Sequence, residues 1–323
     1  MRGFAYVVAA LLTAAAPIAA AQLAAFPDRQ ILLIIPAAVG SGSDLALRLV
    51  GNSIAEDLGK PVVVENMPGA SGLMAVERAR KSPPDGYTVI GISDVTLIYL
   101  PLLMKAATFE PTKDFAPVTL VAEVEWALVT HPSFPANNLH ELMAAVKASP
   151  QKVQYATGGQ GSPQQVAMAY LGSMAKLDIE PVAYKGATPA LVGVVAGDVP
   201  MMITSLAASL PYIKDGRLRA IATTGSTRAA LSPNVPTLAE AGLPGYEFTS
   251  WMALGAPVGV SSDRIAVLQR SANKALADPA VKAKLVAAGL KPLGGTPADM
   301  RSRLDADSRK LGDLVRSIGI QPE

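Results

Sequence analysis

The strongest constraint in this sequence is a pattern that occurs twice: a short apolar run, a glycine-rich loop and then a helical stretch. Ile31 to Ile35 is an uninterrupted apolar run of the kind a parallel strand shows when both its faces are buried. Pro36 closes it and the loop Gly40-Ser41-Gly42-Ser43 follows. The next stretch has a helical period, with Leu45, Leu49 and Leu58 expected on one side and Arg48, Asn52 and Glu56 on the other. Val62 to Val64 reads as a strand, Met74 to Lys81 as a helix and Tyr87 to Ile92 as a strand. The order βαβαβ calls for a parallel sheet covered by helices.

The second set begins near residue 138. Asn138 with Glu141 is a capping pair that opens a helix over Leu139 to Ala148. Val153 to Ala156 is a strand, Thr157 to Ser162 a glycine loop, and Pro163 suits a first helical position because its missing N–H is not needed there. Ile179 to Ala183, Met201 to Ile203 and Leu218 to Thr223 read as strands, with a helix over Pro189 to Ala196. The tail is mainly helical: Thr237 and Glu240 form a capping box, Ser262 is placed to cap a helix running to Ala277, and Asp278-Pro279 and Thr296-Pro297 each open another. No tether, internal repeat or low-complexity stretch separates the two sets, which imply two α/β lobes. In such sheets ligands sit outside the carboxyl ends of the strands, and two lobes facing each other enclose a cleft.

Composition removes several functions. Half of the 323 residues are hydrophobic, enough for a substantial core, and the 28 Lys and Arg nearly balance the 26 Asp and Glu. That is not the basic face of a nucleic-acid binder. There is no cysteine, hence no disulfide, no thiolate metal site and no lipid-bearing Cys after the leader. Arg2, the apolar run Phe4 to Ala16, Pro17 and then Ala19-Ala20-Ala21 follow the order of a secretory signal peptide, and the run is too short for a membrane anchor.

The two strand–loop–helix junctions carry the only chemistry with a pattern. Glycine lets main chain approach a ligand, and a helix N-terminus offers unpaired N–H groups with partial positive charge. Two such ends facing one cleft can hold a carboxylate or phosphate without Arg or Lys. Taken singly, each loop is equally a tight βα turn. Leu45 stands where a dinucleotide fingerprint needs its third glycine, and no Gly-Lys-Ser/Thr follows either loop. His131 and His140 read as ordinary loop and first-turn residues, Gly69-Ala70-Ser71-Gly72 has the wrong spacing for a nucleophile elbow, and Glu123 and Glu125, alternating along a strand, read as solvated. No catalytic pair emerges.

Longer segments carry a resemblance. Phe26-Pro27-Asp28-Arg29 before the first strand, Pro61-Val62-Val63-Val64-Glu65-Asn66-Met67-Pro68-Gly69-Ala70, Pro84-Asp85-Gly86-Tyr87-Thr88, Asp114-Phe115-Ala116-Pro117-Val118, Tyr184-Lys185-Gly186, Leu210-Pro211-Tyr212-Ile213, Val235 to Tyr246 and Thr249-Ser250-Trp251 resemble, in order, the tripartite tricarboxylate transporter receptors, also called the Bug family. The resemblance covers essentially the whole chain after the leader. It implies a type II-like periplasmic binding protein fold, each lobe a mostly parallel sheet flanked by helices. Residues 1–21 would be the signal peptide, 22–122 with 223–323 the first lobe and 123–222 the second. It implies a periplasmic, monomeric, non-catalytic protein without cofactor, which captures a small carboxylate (dicarboxylate, tricarboxylate, acidic amino acid or aromatic acid) by lobe closure. Its partner would be a membrane permease; the alternatives are presentation of the ligand to a membrane sensory kinase and, behind that, a periplasmic hydrolase or isomerase on a similar two-lobed scaffold.

Carried over by position, the clamp falls on Gly40, Ser41, Gly42, Ser43 and Asp44, opposite Gly159, Gln160, Gly161 and Ser162. Asp44 would support the loop, since a like charge repels the ligand. The chain departs from the family where Ala37-Ala38-Val39 lacks the usual aromatic and prolines, which would widen the pocket. Gln165 stands where His is common, and Thr204-Ser205 where Asp-Asn is common. Asp94, after Ser93, occupies a place usually held by small residues. It either lines the cleft and favours a ligand with a donor group, or caps the next helix. Trp126, near the first crossover, either stacks on a ligand or packs the hinge.

Overall fold

In a computed structural model that describes residues 26–160 and 162–317, the chain forms two lobes, one built on a six-stranded sheet and the other on a three-stranded and a two-stranded sheet. The leader and Gly161 lie outside the described residues. The first lobe opens with β1 (Ile31–Ile35), α1 (Gly42–Leu58), β2 (Val62–Asn66), a 3₁₀ turn (Gly69–Gly72), α2 (Leu73–Arg80) and β3 (Thr88–Ser93). A helical turn of π type (Val95–Tyr99) leads into α3 (Leu100–Leu103), then α4 (Pro111–Asp114) and β4 (Phe115–Val124). The second lobe comprises β5 (Trp126–Thr130), α5 (Leu139–Ala148), β6 (Val153–Thr157), α6 (Pro163–Ala175), β7 (Ile179–Ala183), α7 (Ala187–Ala196), β8 (Met201–Ser205), α8 (Leu206–Lys214) and β9 (Arg219–Thr223). The chain then returns to add β10 (Ser250–Pro257), α9 (Ser262–Ala277), α10 (Pro279–Ala287), β11 (Leu290–Pro292) and α11 (Pro297–Ser317) to the first lobe.

The strand order of the first sheet is β11-β4-β10-β3-β1-β2. Pairing is parallel between β1 and its neighbours and antiparallel about β10, so β1, β2, β3 and β4 point one way and β10 and β11 the other. In the second lobe β5 lies antiparallel between β8 and β9, and β6 pairs parallel with β7 alongside β8. β10 supplies the antiparallel contacts because it is the return strand from the second lobe.

Inside and outside are set by side-chain period. On one face of the first sheet Ile31, Leu33 and Ile35 pack on Leu47, Val50 and Ile54 of α1 and on Leu268 and Ala272 of α9. The buried stripe of α1 is thus Leu47-Val50-Ile54, and Leu45 is 40% exposed. Of the expected Leu45-Leu49-Leu58 stripe, Leu49 and Leu58 pack half-buried against this core, whereas Leu45 turns outward because the sheet decides which apolar face turns inward. The other face of the sheet, with Ile34, Ile90 and Ile92, belongs to a core that continues through Trp126, Tyr246 and Trp251 into Leu128, Leu142, Met168 and Ile203 of the second lobe. Truncating a fully buried member such as Ile90 to Ala costs about 2–5 kcal/mol.

Two other local expectations need correction. Thr237 and Glu240 do form the reciprocal box, Thr237 N–H to Glu240 Oε2 at 3.0 Å and Glu240 N–H to Thr237 Oγ1 at 3.1 Å, but only turns follow. A box satisfies local donors, and without an apolar stripe behind it no helix propagates. Ser262 is already inside α9, with Ser261 at the cap position. The caps at Asn138 and Asp278 close as expected.

Candidate ligand-binding site

The topology brings the carboxyl edges of the two sheets together. Glu125 alone joins the end of β4 to the start of β5, and β5 starts beside the ends of β8 and β9. The loops after β1, β2 and β3 therefore share an edge that abuts the edge holding the loops after β8 and β9.

The loop after β1 is built around Asp44, which is 4% exposed. Its Oδ2 accepts the Gly40 N–H at 2.9 Å, and its Oδ1 accepts from Arg48 and from Asn66 Nδ2, each at 2.9 Å. Asn66, the last residue of β2, also donates to Ala37 O at 3.0 Å, so the first two strand ends are tied through one carboxylate. Burial alone would raise the Asp44 pKa; the Gly40 N–H, Asn66 and Arg48 together bring it below the ordinary value. Gly40 has φ +81°, a left-handed conformation that glycine adopts without strain.

This arrangement revises the clamp. The Gly40 N–H is taken by Asp44, the Ser41 N–H donates to Ala38 O at 3.2 Å, and the Asp44 N–H donates to Ser41 Oγ at 3.2 Å. Gly42 and Ser43 are the first two residues of α1, and among the described residues their N–H groups have no acceptor. A Cβ built on Gly42 meets nothing within 4 Å, so the space beside Gly42 is open. The donors available to an anion are therefore Gly42 and Ser43, with Gly40 and Ser41 shaping the loop.

In the second lobe Ser162 caps α6, its Oγ accepting from the Gln165 N–H at 3.4 Å, and Pro163 takes the first helical position. Gly159 donates to Thr157 Oγ1 at 3.3 Å, and Gln160 is exposed at the loop tip. Gln165 lies in a groove of about 260 Å³ with Tyr155, Gly172, Ile179 and Pro181, on the flank of α6. Gln164, buried, borders the loop: its Oε1 would stand 3.2 Å from a Cβ on Gly158. Thr204 is buried within β8, and Ser205, half-buried, caps α8 without a side-chain bond.

At the end of β3, Ser93 and Thr96 cap each other: Ser93 N–H to Thr96 Oγ1 at 2.8 Å and Thr96 N–H to Ser93 Oγ at 3.3 Å. Asp94 turns inward, 1% exposed, with Oδ1 accepting the Val95 N–H at 2.9 Å. Burial is the main reason its pKa is pushed up to about 7.

Two sequence readings at the crossover fail. Glu123 is 8% exposed and accepts from Arg303 at 3.2 Å and from Thr249 Oγ1 at 3.1 Å. Glu125 is half-buried, with its pKa raised by desolvation. Neither is solvated, because α11 and β11 return over β4 from the far end of the chain. Trp126 packs edge-to-face on Phe248 with centroids 6.0 Å apart, a hinge contact. His131 follows β5 at the edge away from the loops and bonds Ser133 at 2.7 Å. Among the described residues no cluster of His, Asp and Glu is placed to hold a metal ion, and no helix is long and apolar enough to cross a membrane.

Comparisons with known proteins agree with this architecture. Protein BugT of Bordetella pertussis is 33% identical over 306 residues, covering 94% of this chain and 93% of that protein. The structure of an R. palustris protein with adipate superposes with a TM-score of 0.80 at 30% identity, covering 92% of this chain and 100% of the other. MatC from Rhodopseudomonas palustris with bound malate gives a TM-score of 0.75 at 30% identity, over 90% of this chain and 100% of the other. The pattern of the tripartite tricarboxylate transporter family receptor matches residues 46–320, and the chain belongs to that family of solute-binding receptors.

Proposed function

We propose that the chain is a periplasmic receptor, not an enzyme, that captures a small organic carboxylate between its lobes for a membrane permease. One observation carries the reading: at the N-terminus of α1 two adjacent N–H groups, Gly42 and Ser43, have no acceptor among the described residues, and the space beside Gly42 is open. Such a pair is suited to the two oxygens of a carboxylate. The N-terminus of α6, after the loop of Gly159, Gln160 and Ser162, is the facing half of the clamp. The adipate and malate held by solved relatives supply the ligand class. Residues 1–21 are the signal peptide, 22–122 with 223–323 and 123–222 the two lobes, and the protein works as a monomer.

The test is isothermal titration of malate, adipate and a wider panel of acids into protein stripped of ligand by unfolding and refolding. At least one acid binds. Gly42→Pro then weakens it about tenfold or more, because a hydrogen bond to a charged group is worth about 1.5–3 kcal/mol. Proline fits here: position 42 opens the helix and Ser41 before it is extended, with φ −71° and ψ 161°. Gly42→Ala, which keeps the N–H, retains affinity. Unchanged binding in Gly42→Pro would show that the clamp lies elsewhere.

A further inference from the structure

Gln164, the second residue of α6, is only 6% exposed, yet among the described residues its side-chain amide has no hydrogen-bond partner. Native interiors pair nearly all such groups, so an unpaired one calls for a partner that arrives by binding. The amide is aimed at the opening of α7. Its Oε1 stands 3.2 Å from a Cβ position on Gly158, and the Ala187 nitrogen stands 3.1 Å from the same point. No hydrogen bond joins Oε1 to the Ala187 N–H, so the amide is not a cap for α7.

α6 and α7 open side by side because β6 and β7 run parallel, with Thr157 opposite Ala183 and the Tyr184 N–H on Thr157 O at 3.0 Å. Gly186 holds the cap position of α7 and has no side chain to fill it. Pro189 has no N–H, and the Ala190 N–H goes to Gly186 O at 3.3 Å. That leaves Ala187 and Thr188, two adjacent exposed residues whose N–H groups have no acceptor among the described residues. The first turn of α6 has fewer. Pro163 has no N–H and the Gln165 N–H goes to Ser162 Oγ, so among the described residues of that turn Gln164 alone offers one. Residues 157–160, 162–165 and 184–189 include Lys185 and no Asp or Glu, so fixed charge and the helix end both favour an anion there.

We propose that the first turn of α7, with the Gln164 amide beside it, is a subsite for a second carboxylate, so that the ligand is a dicarboxylate held at both ends. One carboxylate rests on Gly42 and Ser43 of the first lobe, with the single N–H of α6 opposite. The other rests on the Ala187 and Thr188 N–H groups. A half-turn about the last torsion of Gln164 exchanges Oε1 for Nε2 and sets a donor against an oxygen of that second carboxylate. Gln164 is then a specificity residue: its amide separates acids with two carboxylates from acids with one. The subsite rests on the proposed clamp in placing the first carboxylate on α1 and in taking the opening of α6 as the cleft side of the second lobe.

The test is isothermal titration at neutral pH, comparing succinate, glutarate and adipate with butyrate, valerate and hexanoate, the monoacids of equal length. At least one diacid binds about tenfold or more tightly than its monoacid, the worth of a hydrogen bond to a charged group. Gln164→Leu narrows that ratio about fivefold or more. Gln164→Glu narrows it further, because a like charge then faces the second carboxylate. Since the amide has no partner to lose, ligand-free Gln164→Leu unfolds at the same urea concentration as the unaltered protein or a higher one. A ratio near one in the unaltered protein overturns the subsite, and so does a Gln164→Leu that keeps the full ratio or unfolds earlier in urea. Should Gln164→Leu not fold, a Gln164→Glu that keeps the ratio does the same. Gly42→Pro weakens diacid and monoacid together. If it weakens neither while Gln164→Leu narrows the ratio, the clamp on α1 is wrong and the second subsite stands; no binding by any of these acids overturns both.

Discussion

Asp44 and Asp94 hold equivalent places in the first lobe. Each follows a strand of the parallel set, each lies in the first turn of a helix, and neither is more than 4% exposed. Their donors differ. Asp44 receives a main-chain N–H, an amide and a guanidinium, which outweigh its burial and hold its pKa below the ordinary value. Asp94 has the Ser250 hydroxyl and one N–H from its own neighbour and is repelled by Asp307, so burial wins. Similarly low exposure therefore gives opposite charge preferences, because Asp94 lies deeper in the protein and fewer donors are aimed at its carboxylate.

The largest effect expected from this contrast is at Asp44. Asp44→Asn weakens the bonds to Gly40 and Arg48 and costs about 2–4 kcal/mol at neutral pH by urea unfolding. The folded pKa is depressed, so the Asp44 contribution is present above the unfolded value of 3.8 and fades as pH falls through the folded one. In Asp44→Asn the acid limb of the stability curve should flatten. A loss well below 1 kcal/mol would mean that the three donors do not set the difference.

The opposite sign is expected at Asp94. Its folded pKa, about 7, is above the unfolded 3.8, so the folded state holds a proton that the unfolded chain has released between these values. Stability falls as pH rises through that window, and the penalty is complete above it. Asp94→Asn should therefore be more stable than the unaltered protein by about 4 kcal/mol at pH 8 and within about 1 kcal/mol of it near pH 4. A variant less stable at both would show that Asp94 is ionised and paired, and the comparison would collapse.

The contrast also explains what was legible in the sequence. The junctions at Gly40 and Gly159 and the strands before them were readable because glycine, proline and apolar runs act over a few residues. The support role of Asp44 was readable for the same reason, since its partners Gly40 and Arg48 are four residues away on either side. The committed amides of Gly40 and Ser41 were not, because motif spacing does not say which N–H a nearby acceptor will take. Asp94 and Glu123 were ambiguous or misread because their surroundings come from Ser250 and from Arg303, which is 180 residues beyond Glu123. Local chemistry announces itself in sequence; burial by a returning helix does not.

The smallest predicted effect isolates the carboxylates from the helix caps. Ser41 Oγ accepts the Asp44 N–H at 3.2 Å, and Ser93 Oγ accepts the Thr96 N–H at 3.3 Å, so the two junctions carry the same cap at the same spacing. Ser41→Ala and Ser93→Ala should each cost about 1 kcal/mol, the ordinary value of a serine cap. Neither should shift the pH dependence of unfolding, because neither hydroxyl bonds a carboxylate among the described residues. If Ser93→Ala cost several times more than Ser41→Ala, the turn after β3 would depend on its cap more than the turn after β1 does. The difference between the junctions would then lie in backbone geometry, consistent with the π turn at Val95–Tyr99, and the donor count around each aspartate would be a consequence of it. Equal losses leave the donors as the cause.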